Sequence, residues 1–193
     1  MIDRPHFGNQ DIPRIFTLEM HQDDPSKCTS AKMKKFGLAK PSTKRTIPTG
    51  SIVLNPLGEV PITKNDRVDA LRRGVVVIDC SWAKASDMFE VAHFNGIQRT
   101  LPALLAGNPT NYARMGTLSS VEAVAGALYI MNFFDHAKRL LSIYKWGSTF
   151  LTLNLEALEE YSKADSVEQI KSVEGEFFPQ IHQFPIMGRT NKS

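Results

Sequence analysis

The stretch from Val75 to Trp82, VVVIDCSW, places an acid, a thiol, a hydroxyl and an indole at the end of an unbroken apolar run. Four branched residues, Val75 to Ile78, suit a strand buried on both faces, as in a parallel sheet. Asp79, Cys80, Ser81 and Trp82 are then delivered together where that strand reaches the surface. Cys80 has no nearby histidine in sequence to make it a thiolate nucleophile, and it reads as buried packing. Asp79 is compatible with a structural carboxylate and Trp82 with a core or rim aromatic, and both equally with a binding site. Ser81 stays undecided. A second concentration of chemistry lies in KMKKFGLAKPSTKR, where Lys32, Lys34, Lys35, Lys40, Lys44 and Arg45 fall close together. Such a cluster is either a solvated helix face with its loop or a footprint for phosphates, whose neutralisation releases counterions.

Other chemistries lack their residues. There is no glycine triplet of the dinucleotide fingerprint and no glycine-rich loop ending in Lys-Ser or Lys-Thr. Two cysteines, Cys28 and Cys80, are too few for a disulfide scaffold or a cysteine zinc site, and the five histidines show no ligand spacing, so no metal is expected. With 193 residues, 42% hydrophobic and 22% charged, the chain has the balance of a globular protein with a core, as one large domain or two small ones. No uncharged apolar stretch approaches about 18 residues, and MIDRPHFGNQD lacks the layout of a secretory signal, so a soluble, cytoplasmic protein is expected. Residues 1–145 hold 19 Lys and Arg against 13 Asp and Glu, and residues 146–193 hold 4 against 7, so the basic character belongs to the first three quarters.

The elements that must position these residues alternate. RIFTLEM reads as a first strand and PSKCTSAKMKKFGL as a short helix closed by Gly37. GSIVLNP reads as a second strand broken by Pro56, and NDRVDALRRG as a helix capped by Asn65 or Asp66 with Gly74 beyond its end. VVVIDCSW follows, which points to an α/β fold with parallel pairing. QRTLPALLAGNPTNYARMGTLS is a long connection of the kind that carries function. SSVEAVAGALYIMNFFDHAKRLL begins with Ser119 and Glu122 at capping-box spacing and is apolar nearly all round, as in a central buried helix. NLEALEEYSKADSVEQIKSVEGEFF reads as two amphipathic helices with Asn154 and Ser166 as caps, and a loosely held tail is expected from about Pro179.

Five segments, DDPSKCTSAKM, VLNPLGE, VVVIDCSWA, LPALLAGNPTNYARMGTLSSVEAVAGAL and YKWGSTFLTLN, resemble in order and spacing the small-subunit ribosomal RNA aminocarboxypropyltransferases. The likeness runs from about Ile15 to about Phe178. It implies a SPOUT-like α/β fold with a deep trefoil knot, a basic RNA-facing N-terminal α/β domain over residues 1–100, and a helix-rich knotted part over 101–193. It implies a monomer acting in small-subunit maturation, with ribosomal RNA in a pre-ribosomal particle as partner and neither metal nor membrane. It also implies S-adenosylmethionine as donor of a 3-amino-3-carboxypropyl group to N3 of a hypermodified, (N1-methyl)pseudouridine.

Each arm of a sulfonium is electrophilic, and the arm that reacts is the one presented in line with the nucleophile at about 3–3.5 Å. By the resemblance, the pocket buries the methyl and turns the amino-acid arm outward. Trp82 would pack on the methyl and offer its negative face to the sulfur. Asp79 would orient the amino group or help remove the uracil proton. Leu54 and Pro56 would pack on the adenine opposite Leu101, Leu118 and Ala123, and the main chain from Leu118 through Ser119 to Ser120 would read its edge. Thr29 would lie near the methionine moiety, and the helix start at Ser119 would meet the carboxylate. Where family members carry Pro and an aromatic, this chain has Met115 and Gly116. RNA contacts would fall to Lys32, Lys34, Lys35, Lys44, Arg45, Arg72, Arg73, Arg99 and Arg114, holding phosphates, with the target uridine selected by RNA shape and an unstacked base. The alternatives are a methyltransferase of the same knotted class and a noncatalytic assembly factor.

Overall fold

The computed structural model describes residues 12–19, 29–79 and 95–182; Cys28, Cys80, Ser81 and Trp82 lie outside them. Among the described residues, β1 (Ile15–Glu19), β2 (Lys40–Ser42), β3 (Ile52–Leu54), β4 (Val75–Asp79) and β5 (Ile97–Arg99) form one sheet in the order β2-β1-β4-β3-β5. Every pairing is parallel, with Leu18 opposite Ile78 and Leu54 opposite Val77. Val75 to Ile78 are buried, as the branched run predicts for a strand with neighbours on both edges and cover on both faces.

Two strands escape the sequence reading. β2 carries Lys40 and Pro41, residues that protect an exposed edge and weaken a strand signal, and β5 is three residues long at the other edge. The apparent second strand is therefore the third. Connections from the two central strands diverge: β1 leads through α1 (Thr29–Lys35) to β2, whereas β4 leads past β3 to β5. In open parallel sheets the crevice above such a divergence is where ligands bind, and Asp79 stands at its rim.

The helix signals hold in kind and shift in detail. Gly37 (φ 69°) closes α1: its N–H donates to Lys34 O and that of Leu38 to Met33 O. Asp66 stands at the N-cap of α2 (Arg67–Arg73), as expected, but makes no side-chain cap bond there; the capping bonds lie one turn earlier, at Thr63. The Thr63 hydroxyl accepts from Asn65 N at 3.3 Å, and Asp66 Oδ2 accepts from Thr63 N at 2.9 Å, closing a box around the turn Lys64–Asp66.

The long apolar helix divides into α3 (Ser120–Ile130) and α4 (Phe134–Ser142). Asn132 takes a left-handed conformation (φ 62°), which asparagine tolerates, and apolar periodicity runs across the break undisturbed. Arg67 seals the break, donating from Nη1 to Met131 O at 2.8 Å and Asn132 O at 2.9 Å, with its guanidinium 3.9 Å above the Phe133 ring.

Asn154 is not a cap. α5 (Gly147–Lys163) starts earlier, at Gly147, which approaches the Leu141 carbonyl so closely that a Cβ would stand only 2.1 Å away. Asn154 is thereby buried mid-helix, where it accepts from Leu105 N at 2.7 Å and donates to Leu105 O and Phe150 O at 2.8 Å. Ser166 does cap α6 (Val167–Phe177), accepting from Gln169 N. A short turn, Pro179–His182, follows, and the remainder of the expected tail lies outside the described residues.

A single apolar cluster joins Ile15, Ile52 and Val75 of the sheet to Leu104, Leu128, Phe150 and Tyr161 of the later part. α3 is its axis, packing on β4, α1, α4 and α5. Among the described residues no helix is long and apolar enough to cross a membrane.

His136 on α4 is 8% exposed, and its Nδ1 has no hydrogen-bond partner among the described residues. Burial, aided by the Arg139 charge, pushes its pKa down to about 4 from 6.5. Between those values the unfolded chain holds a proton that the folded chain lacks, so stability rises with pH through this window and is lost on acidification. Denaturation midpoints measured from pH 4 to 6.5 should show a slope shallower in His136→Leu than in wild type, by at most about 1.4 kcal/mol per pH unit. Equal slopes would remove His136 as the cause.

Candidate active site

At the carboxyl end of β4, Asp79 is held by two hydroxyls. Ser30 Oγ, from the first turn of α1, donates to Oδ2 at 2.6 Å, and Ser120 Oγ, from the start of α3, donates to Oδ1 at 2.5 Å. One carboxylate thus pins two helix N-termini to the rim of the crevice. Thr29 completes the junction: its Oγ1 accepts from Val121 N at 3.4 Å, and its carbonyl accepts from Tyr144 OH at 2.5 Å. Tyr144 also supports Lys32, whose ammonium lies 4.7 Å from the ring centre.

The opposite wall comes from the connection 100–119, which carries no helix and owes its shape to Glu122. This side chain is fully buried at the start of α3. Its Oε1 accepts from Gly107 N at 2.6 Å and Asn108 N at 2.9 Å. Its Oε2 accepts from Asn108 Nδ2 at 2.7 Å, Ser119 N at 2.7 Å and Ser119 Oγ at 2.6 Å. A buried carboxylate is tolerated only when its lone pairs are used in this way. Gly107 is required beside it, since a Cβ there would lie 2.5 Å from Phe150 N. Capping-box spacing gave away the bond to Ser119, but not the bonds to Gly107 and Asn108, which only folding brings near.

Apolar side chains gather around this rim. Leu54 ends β3 and is buried, with Pro56 half-buried just beyond it. Leu118 is buried immediately before Ser119, and Leu101 lies against α3 at Gly126, one turn from Ala123. Leucines and a proline on the walls, with hydroxyls, amides and one carboxylate at the helix starts, match the chemistry of S-adenosylmethionine: a flat base, a cationic sulfur and a zwitterionic tail. The residues present therefore fit such a group. Gly116 is left-handed (φ 70°) and donates to Leu104 O, so that position offers main chain and no ring. Ser30, Tyr144 and Asn108 had no signal of their own in the sequence, because their partners lie 14 to 115 residues away.

The basic residues divide by place. Lys32, Lys34 and Lys35 lie on α1, Lys44 and Arg45 follow β2, and exposed Arg114 lies in the connection before Leu118. Arg99 is turned inward: its Nε pairs with Asp66 Oδ1 at 2.9 Å. Arg72 and Arg73 end α2 at the amino edge of the sheet, across the fold from Asp79, where Arg72 O accepts from Arg14.

A parallel α/β sheet with its polar cluster above the central strand ends defines a ligand-binding α/β protein of the open-sheet class. Comparison with known proteins carries this further. Residues 52–178 match the family described as ribosome biogenesis protein, C-terminal. The 16S rRNA aminocarboxypropyltransferase of Vulcanisaeta distributa is 45% identical over 156 residues, covering 80% of this chain and 84% of the relative. That of Thermoplasma volcanium is 44% identical over 164 residues, covering 85% and 98%. The solved structure of the SAM-dependent rRNA:acp-transferase Tsr3 from Vulcanisaeta distributa superposes with a TM-score of 0.79 at 43% identity, covering 85% of this chain and 90% of that one. This chain belongs to the 16S rRNA aminocarboxypropyltransferase family. A second model, "Possible Fer4-like domain in RNase L inhibitor, RLI", matches residues 13–45, but an iron–sulfur cluster takes four thiolates and the whole chain has two cysteines.

Replacing Glu122 by Gln would turn amide hydrogens toward donors at Oε1 or Oε2. Glu122→Gln should lower unfolding free energy by about 3 kcal/mol, read from urea denaturation. An unchanged midpoint would mean that this carboxylate does not hold the connection.

Proposed function

We propose that this chain transfers the 3-amino-3-carboxypropyl group of S-adenosylmethionine to N3 of a pseudouridine, or of its N1-methyl form, in small-subunit ribosomal RNA. The observation that carries this reading is the junction at Asp79, where two helix starts and an apolar rim meet at the crevice of a chain 43% identical to a SAM-dependent rRNA:acp-transferase. The sulfonium supplies a carbon that N3 attacks: the N–C bond forms, the S–C bond breaks, and its electron pair leaves with methylthioadenosine. The chain's residues set which carbon is offered. Leu54, Pro56, Leu101, Leu118 and Ala123 hold the adenosine, and Trp82 covers the methyl. Main-chain groups from Leu118 to Ser120 read the base edge, while Thr29 and the start of α3 receive the amino-acid tail. Asp79 has each oxygen already bonded to a hydroxyl, which suits it to holding and orienting; proton removal from N3 then falls to it or to solvent.

RNA phosphates lie along Lys32, Lys34, Lys35, Lys44, Arg45 and Arg114, on the side of the crevice; Arg72 and Arg73 reach a more distant part, and Arg99 braces the fold beneath. The same reading makes residues 1–100 the RNA-facing part and 101–193 the knotted, SPOUT-like part of a cytoplasmic monomer working on the pre-ribosomal particle. Resemblance to the family supports these features.

S-Adenosylmethionine labelled separately on its carboxyl and methyl carbons, incubated with a small-subunit RNA fragment, discriminates the chemistries. Carboxyl label on the RNA with methylthioadenosine released is expected; methyl label on the RNA, or no label, would sink the reading. Trp82→Ala should weaken cofactor binding by roughly 1–3 kcal/mol in calorimetry. Unaltered affinity would take Trp82 out of the pocket.

A further inference from the structure

We propose that Tyr112 is a stacking platform for an unpaired RNA base beside the crevice, a subsite that rests on the RNA-modifying function proposed above. The connection 100–119 doubles back on itself: Leu105 and Met115 bridge antiparallel, Gly116 N–H donates to Leu104 O, and Ala113 N–H donates to Ala106 O. Tyr112 sits at its far end with 59% of its surface exposed.

The tip is not slack. Asn108, gripped by Glu122, accepts from Asn111 N at 3.0 Å, and Asn111 Nδ2 donates to Thr117 O at 3.2 Å. The residue before Tyr112 is thereby tied to the residue before Leu118, at the edge of the proposed cofactor wall. The residue after it, Ala113, holds φ at +58°, a left-handed conformation that costs an alanine energy and persists only where surrounding bonds impose it. Those bonds hold a strained backbone in place, and the two residues that flank it, Tyr112 and Arg114, are both exposed. No carboxylate pairs with the Arg114 guanidinium among the described residues.

An aromatic face with an adjacent guanidinium suits a splayed nucleotide: the base stacks on the ring and the phosphate meets the cation. A base stacked there would hold the strand open next to the carbon being transferred. Stacking needs the ring and not the hydroxyl.

The test uses the full chain, a fluorescein-labelled small-subunit rRNA hairpin with unpaired loop uridines, and cofactor affinity measured separately by calorimetry. Tyr112→Ala should weaken hairpin binding about tenfold, the scale of one lost base–aromatic stack, while Tyr112→Phe stays within about twofold of wild type and both variants bind S-adenosylmethionine as wild type does. Hairpin affinity unchanged in Tyr112→Ala would overturn the proposal, as would equal losses in Tyr112→Phe, or a matching loss of cofactor affinity that marks a merely structural role. If the wild type binds the hairpin but transfers no label, the proposed activity fails, and the stack is still decided by the Ala and Phe affinities.

Discussion

A charge that cannot reach water organises this molecule. Glu122 is fully buried, and its two oxygens are satisfied by donors from Gly107, Asn108 and Ser119, drawn from the middle and the end of a connection without helix. Removing any one donor leaves part of a carboxylate unsolvated, so the connection has one low-energy path. That path sets Leu118, Ser119 and Ser120 at the crevice, and it turns the tip carrying Tyr112 and Arg114 outward. A segment rich in glycine, proline and asparagine, which would otherwise sample many conformations, becomes as definite as a strand.

The second constraint is at Asp79. Strand β4 is central in the sheet, and its last residue accepts hydroxyls from both α1 and α3, so the starts of those helices cannot shift independently. Tyr144 extends the coupling, holding the Thr29 carbonyl with its hydroxyl and the Lys32 ammonium with its ring. A basic side chain on the outer face is in this way registered against the crevice through two contacts. Positioning of this kind matters where transfer depends on which carbon lies in line.

The charge distribution follows the same geometry. α1 starts at the carboxyl edge of the sheet and the turn after β2 lies there too, whereas Arg72 and Arg73 end α2 at the amino edge, where Arg14 reaches Arg72 O. Arg99 shows why a list of cations is not a surface: paired with Asp66, it joins the end of β5 to the turn before α2.

The amino-acid sequence alone determined what local rules govern. The branched run Val75–Ile78 announced a buried parallel strand, Gly37 and Ser166 marked helix ends, and the spacing from Ser119 to Glu122 marked a helix start, because each is read within a few residues. Tertiary structure decided the rest. Lys40–Ser42 is a strand only because β1 lies beside it; the apolar run around Asn132 breaks because a single backbone angle reverses and Arg67 binds the freed carbonyls; Asn154 is buried because Leu105 crosses it. Residue types and spacing named Asp79 as a candidate, yet its hydroxyl partners come from 49 and 41 positions away. A hydrogen bond is fixed by distance in space, and spacing along a chain reports that distance only within one turn or one strand.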